Sequence, residues 1–313
     1  MRPVLGVTRT EELDPASVPR HQHYIDARLD LSQDEYQQYL DAADALHSHI
    51  SDSQLFLLVL WNYQEYYDIL GDCLTAYAQK DVDYFDNRPV YLSVNGCFLN
   101  YLSSVRTYLD YTETRIKRRY GEDSQNWDRF KQYCSDAYDG CFSYRFLYNL
   151  RNYAQHCGLP INRINFNTRP KEDNPQEPCY TLSVGTSRDE LLRGFDWKRP
   201  LREEIAGLLP IIDINPHINA MTDCLDRINS DLSRDEFPNL LESARYIRNL
   251  LQRISYSSED GDPCIFELKE NDASNIDWTR LGMRRVPIEI ADAVINGKIE
   301  DISRTITVRT LSV

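Results

Sequence analysis

The chain has 313 residues, a net charge of -14, 42% hydrophobic and 11% aromatic residues, and a mean hydropathy of -0.56. This composition excludes a disordered chain and allows one large core or two. The acidic balance excludes broad electrostatic capture of nucleic acid, so any RNA contact must be local.

The eight cysteines contain no Cys-x-x-Cys pair and several fall in helical apolar patterns, so they read as reduced core residues of a cytoplasmic protein. The first residues lack an apolar signal core, and the longest strongly apolar run, Leu55 to Trp61, is too short to span a bilayer, so no membrane association is expected. Tyrosine outnumbers phenylalanine 21 to 10. Its apolar body and polar tip suit half-buried helix faces and nucleobase stacking alike.

In chain order, residues 1–31 are interrupted by proline and partly extended. His21 and His23 share one side of a strand, but no carboxylate or cysteine pattern completes a site there, and no metal is expected. Ser32 to Glu35 forms a capping box that opens a helix to about Ile50. On it His47 and His49 lie roughly 200° apart, too divergent for one ion. Asp52 or Ser53 caps a second helix through Gln79, with Leu55, Val59, Tyr66 and Leu70 at helical spacing. A third helix runs from about Pro89 to Tyr120, with Val94, Phe98, Tyr101, Leu102, Val105 and Leu109 as its core stripe. Asn100, Ser104 and Arg106 form a polar patch on it, either plainly solvated or facing the next helix. The basic run Ile116 to Arg119 neutralises the helix dipole at its negative end. A fourth helix spans about Asp123 to Cys157. Short joints between these helices predict an antiparallel bundle.

After Pro160 the pattern becomes alternating. Ile161 to Thr168 and Cys179 to Val184 predict a β-hairpin around the polar loop Arg169 to Pro178. Helices follow at about 188–192, 200–208, 217–232 and 238–256, then a strand at 263–268, a short helix at 288–295 and a strand at 303–312. The expected fold class is α+β, mainly α. Its parts are an N-terminal extension (1–31), a helical bundle (32–160) and a mixed α/β region with a β-hairpin (161–313). Phosphate-loop, dinucleotide-binding, zinc-protease and serine-hydrolase signatures are absent from the sequence. Asp223 and Asp226, with Asp213 or His217, form at most an acidic helix surface, and no cofactor is expected.

The stretch Phe142 to Pro160 is the one suited to phosphate chemistry. At 100° per residue, Arg151, Tyr144, Gln155, Tyr148, Asn152, Arg145 and His156 occupy one sector of roughly 140°. Phe142, Tyr153, Phe146, Cys157, Leu150, Ser143, Ala154 and Leu147 occupy the opposite one. The first sector holds two arginines and a histidine with no carboxylate. Gly158 and Pro160 stop the helix, so the cluster sits near a C-terminus, whose dipole disfavours anions; side chains must therefore make any phosphate site.

Arg151-Asn152-Tyr153-Ala154-Gln155-His156 resembles the Arg-x(4 to 6)-His motif of HEPN domains, in its Arg-Asn-x-x-x-His form. The resemblance covers about residues 32 to 160. It implies an all-helical module of the kind found in toxins, phage-defence proteins and anticodon nucleases. It further implies a metal-independent endoribonuclease with Arg151 and His156 as catalytic residues. Asn152, Tyr148, Arg145, Gln155, Tyr144, Asn100 and Ser104 are the auxiliary or RNA-binding candidates. The 2′-hydroxyl of RNA is its own nucleophile, so cleavage needs a base, an acid and positive charge on the phosphorus. One histidine does not easily serve as both base and acid, and a two-fold homodimer supplies the second. A second reading is a non-enzymatic HEPN-like binding or scaffold protein, which fits the acidic charge better. A regulatory or antitoxin protein partner is compatible with the first.

Overall fold

The structure is a computed structural model that describes residues 2–12, 21–79, 88–171, 176–268 and 282–298. It is mainly α-helical, with small antiparallel sheets, and the chain divides into two compact units. One unit holds residues 1–54 and 236–313, the other residues 55–235. The sequence placed its boundaries at 31/32 and 160/161 instead. The difference arises because strand pairing, which joins the start of the chain to its end, leaves no local mark.

In the first unit, β1 (Arg2–Glu12) pairs antiparallel with β2 (His21–Asp30) on one side and β6 (Asp262–Leu268) on the other. The strand β7 (Gly282–Arg285) completes the order β2-β1-β6-β7. Register slips between Leu5 and Gly6, and a Cβ at Gly6 would lie 2.1 Å from the Asp26 carbonyl oxygen, so only glycine fits this close approach. Leu5, Val7 and Ile265 share a core with Tyr39 and Leu46 of α1 (Gln33–Ala78). Ile247 and Leu251 of α7 (Asn215–Arg253) and Val294 of α8 (Ile288–Ile295) complete it.

The predicted capping box opens α1: the Ser32 N–H donates to Glu35 Oε2 at 2.8 Å, and the Glu35 N–H donates to Ser32 Oγ at 3.2 Å. The expected end at Ile50 is overturned, because α1 is continuous to Ala78. Asp52 and Ser53, the expected caps of a second helix, lie inside α1. The hydroxyls of Ser51 and Ser53 show how the polar residues here are accommodated: they donate back to the carbonyls of His47 and His49, satisfying themselves inside the existing helix.

The second unit contains the rest of α1, α2 (Arg88–Tyr120), α3 (Gln125–Gly140) and α4 (Phe142–His156). Phe56, Val59 and Tyr66 of α1, Phe98 and Val105 of α2, Phe146, Leu147 and Leu150 of α4, and Ile218 and Leu225 of α7 share one core. The hairpin of β3 (Arg163–Pro170) and β4 (Pro178–Ser187) forms as expected, with Ile164 opposite Val184. It is followed by α5 (Arg188–Gly194) and α6 (Arg199–Ala206), and β5 (Ile211–Asp213) adds to β4. The predicted strand at 303–312 lies outside the described residues.

Two helices expected at 217–232 and 238–256 are one, α7, with Pro238 inside it. A proline in a helix interior costs about 3 kcal/mol. Burial of Ile228 and Leu232 before it and of Leu240 and Ala244 after it offsets that. Five of the tyrosines hydrogen-bond to α7. Tyr63 and Tyr67 donate to Asn219 Oδ1, Tyr66 donates to Asn215 Oδ1, and Tyr108 donates to Asn229 Oδ1, while the Tyr101 hydroxyl lies 2.8 Å from that of Thr222. Among the described residues, no helix is long and apolar enough to cross a membrane.

Candidate functional site

The single helix expected over 123–157 is broken at Cys141, whose backbone is extended at φ -126 and ψ 108. The break has a specific cause. Arg145 Nη1 donates to the carbonyls of Tyr138 at 2.5 Å and Asp139 at 2.9 Å, the two acceptors that residues 142 and 143 would use in a continuous helix. The same guanidinium pairs with Glu204 of α6 through Nη2 at 2.5 Å. Arg145, expected to bind an anion, instead ends α3 and ties α4 to α6.

Tyr144 is a second correction. It is only 2% exposed and belongs to the core, so burial pushes its phenol well up rather than offering it to RNA. Its ring stacks on Tyr148, whose hydroxyl accepts a hydrogen bond from Arg106 Nη1 while the Arg106 guanidinium lies 5.2 Å from the ring centroid. Arg106 also pairs with Asp110 at 2.8 Å. Of the polar patch on α2, therefore, Arg106 reaches α4, but Asn100 is exposed and Ser104 is buried, donating to the Tyr101 carbonyl at 2.8 Å.

Tyr153 sets the rotation of the last turns of α4. It stacks on Trp197 at 6.2 Å, and a Cβ at Gly194 would come within 3.0 Å of its ring. With that side held, Gln155 and His156 are exposed and Arg151 and Asn152 are half-buried. Arg151 has no ion pair among the described residues, and its Nε is buried without a hydrogen-bond partner. Five residues of helix separate Arg151 from His156 by roughly 140° and about 7.5 Å of rise. The two side chains therefore diverge within one copy of the chain.

Two polar pairs escaped the sequence reading. The buried Asn95 of α2 donates from Nδ2 to the Ile161 carbonyl at 2.9 Å and accepts the Ile161 N–H at 3.0 Å, fixing the chain just beyond α4. A polar residue inside the Val94 to Phe98 apolar stripe was its signal. The second pair is Ser143 Oγ and His217 Nδ1, 2.8 Å apart, which joins the first turns of α4 and α7. Nothing in the spacing of residues 143 and 217 announces it.

Among the described residues, no three His, Cys, Asp or Glu side chains are placed to hold a metal ion. All eight cysteines are free thiols. Compared with protein-family models, with curated proteins and with solved structures, the chain has no significant match.

Proposed function

We propose that the chain is a HEPN-like, metal-independent endoribonuclease of toxin or phage-defence type, acting in the cytoplasm through a site completed by a second copy of itself. One observation carries this reading: Arg151 keeps an unpaired guanidinium five residues before an exposed His156, although the chain carries 49 Asp plus Glu. Arg145 on the same helix is neutralised by Glu204, so exposure to an acidic chain does not by itself leave an arginine free.

In the reaction, the 2′-oxygen attacks the adjacent phosphorus while one His156 takes the hydroxyl proton. The His156 of the second copy gives a proton to the departing 5′-oxygen, leaving a 2′,3′-cyclic phosphate and a 5′-hydroxyl. Arg151 donates to the non-bridging oxygens as their charge grows. The divergence of Arg151 and His156 within one copy favours shared use of two copies. Asn152 and Gln155 remain available for sugar or base contacts, whereas Arg145 and Tyr148 shape the helix.

The alternative is a HEPN-like binding or scaffold protein, favoured by the structural employment of Arg145, Tyr148 and Tyr144. Incubating the chain with RNA in EDTA, wild type beside His156→Ala, separates the two. The nuclease reading expects EDTA-resistant cleavage with cyclic phosphate ends, lost in the variant, and a dimer by light scattering. A folded wild-type chain that leaves every RNA intact gives the scaffold reading.

A further inference from the structure

We infer that Ser143 and His217 form a nucleophile–base pair able to cleave small, uncharged carboxylic esters with an apolar acyl group, independently of the proposed RNA site. The two atoms are 2.8 Å apart, the separation at which an imidazole takes a hydroxyl proton. Both residues are half-buried rather than sealed, so an electrophile can approach. Burial lowers the His217 pKa below its ordinary value, which favours the neutral ring, and base catalysis uses the tautomer whose unprotonated Nδ1 accepts from Ser143 Oγ.

The ring is held edge-on against Phe142 and Phe146, with centroids 5.5 and 5.3 Å away. Phe146 is fully buried and backs the ring, while the half-buried Phe142 offers an apolar surface beside the pair that suits an apolar acyl group. The charge acting on the imidazole is the Asp213 carboxylate, which disfavours an anionic substrate such as a phosphate ester. Cys141 supplies no side-chain cap to α4, so the first-turn N–H groups beside Ser143 lack that partner, and a developing oxyanion would be one acceptor for them.

The chemistry balances without a cofactor. Ser143 Oγ bonds to the carbonyl carbon while His217 Nδ1 takes its proton and passes it to the leaving alkoxide, releasing an alcohol. Water then attacks the acyl-serine as His217 Nδ1 takes its proton, His217 passes that proton to Ser143 Oγ as the acyl–oxygen bond breaks, and a carboxylic acid departs.

The test uses the full chain with a fluorophosphonate probe, whose fluoride the serine displaces, followed by peptide mapping, with p-nitrophenyl butyrate hydrolysis alongside. The expected result is an adduct on Ser143, absent from Ser143→Ala. In His217→Gln, labelling should fall by about 100-fold or more, the contribution typical of a general base. Thermal unfolding of both variants checks that they fold. No adduct, an adduct on another residue, or undiminished labelling of a folded His217→Gln overturns the proposal. Mapping the wild type needs no variant, so it identifies or rejects the nucleophile even where His217→Gln fails to fold. Ester cleavage and RNA cleavage are read separately, and loss of either leaves the other standing.

Discussion

The Asn95 carboxamide meets the Ile161 backbone as a neighbouring strand would, donating to its carbonyl at 2.9 Å and accepting its N–H at 3.0 Å. This pair holds α2 to the chain where it leaves the motif helix. Asn95→Ala leaves both Ile161 groups buried without partners, and a loss of about 2 to 4 kcal/mol in unfolding free energy is expected. Urea unfolding checks it, and a loss below about 0.5 kcal/mol would show that water takes over the role.

Arg145→Ala should act on stability rather than on nucleic-acid affinity. It removes charged donors from the Tyr138 and Asp139 carbonyls and from Glu204, and about 1.5 to 3 kcal/mol is expected for the hydrogen bonds to a charged group. Unfolding curves beside an RNA-binding titration distinguish the two roles. A stable variant with weakened binding would return Arg145 to the anion site.

The capping box of α1 predicts a pH dependence. The Ser32 N–H, followed by the Arg253 guanidinium and the Ser32 hydroxyl, lowers the Glu35 carboxyl from its ordinary 4.5 to about 2. A carboxylate with a depressed folded pKa binds fewer protons folded than unfolded, so its contribution is complete above about 4.5 and is lost as pH falls toward about 2. Glu35→Gln should therefore flatten the acid limb of a stability–pH profile in that window. Parallel profiles for the two proteins would refute the assignment.

Arg151→Lys keeps the charge and should lose RNA cleavage. A guanidinium holds two phosphate oxygens with a rigid fork, whereas an ammonium is a point charge on a flexible stem. Loss of one transition-state contact of this kind is worth about 2.7 to 4 kcal/mol, or roughly 100 to 1,000-fold in rate. Helix propensity barely changes, so the melting temperature should hold. Near wild-type cleavage by a folded variant would mean that charge alone matters, or that the site lies elsewhere.

Read alone, the residues determined the features that depend on near neighbours. Ser32 and Glu35 cap a helix because their atoms meet within one turn, Ile164 alternates into a hairpin with Val184, and Gly121 and Gly158, both at positive φ, lie just beyond the ends of α2 and α4. The polar sector of α4 was legible in part, since helical spacing alone turned Arg151, Gln155 and His156 away from Phe146 and Leu150.

Tertiary structure decided which members of that sector were free. Tyr144 shares an angle with the motif yet lies in the core, because the helices around it close over that side. Arg145 was drawn to the carbonyls of its own preceding helix and to Glu204, far away in sequence. The continuity of α7 through Pro238, the pairing of β1 with β6 and the meeting of Ser143 with His217 likewise depend on partners that no local pattern encodes. Periodicity sets the direction in which a side chain points along its own element. What it meets there depends on how distant elements pack.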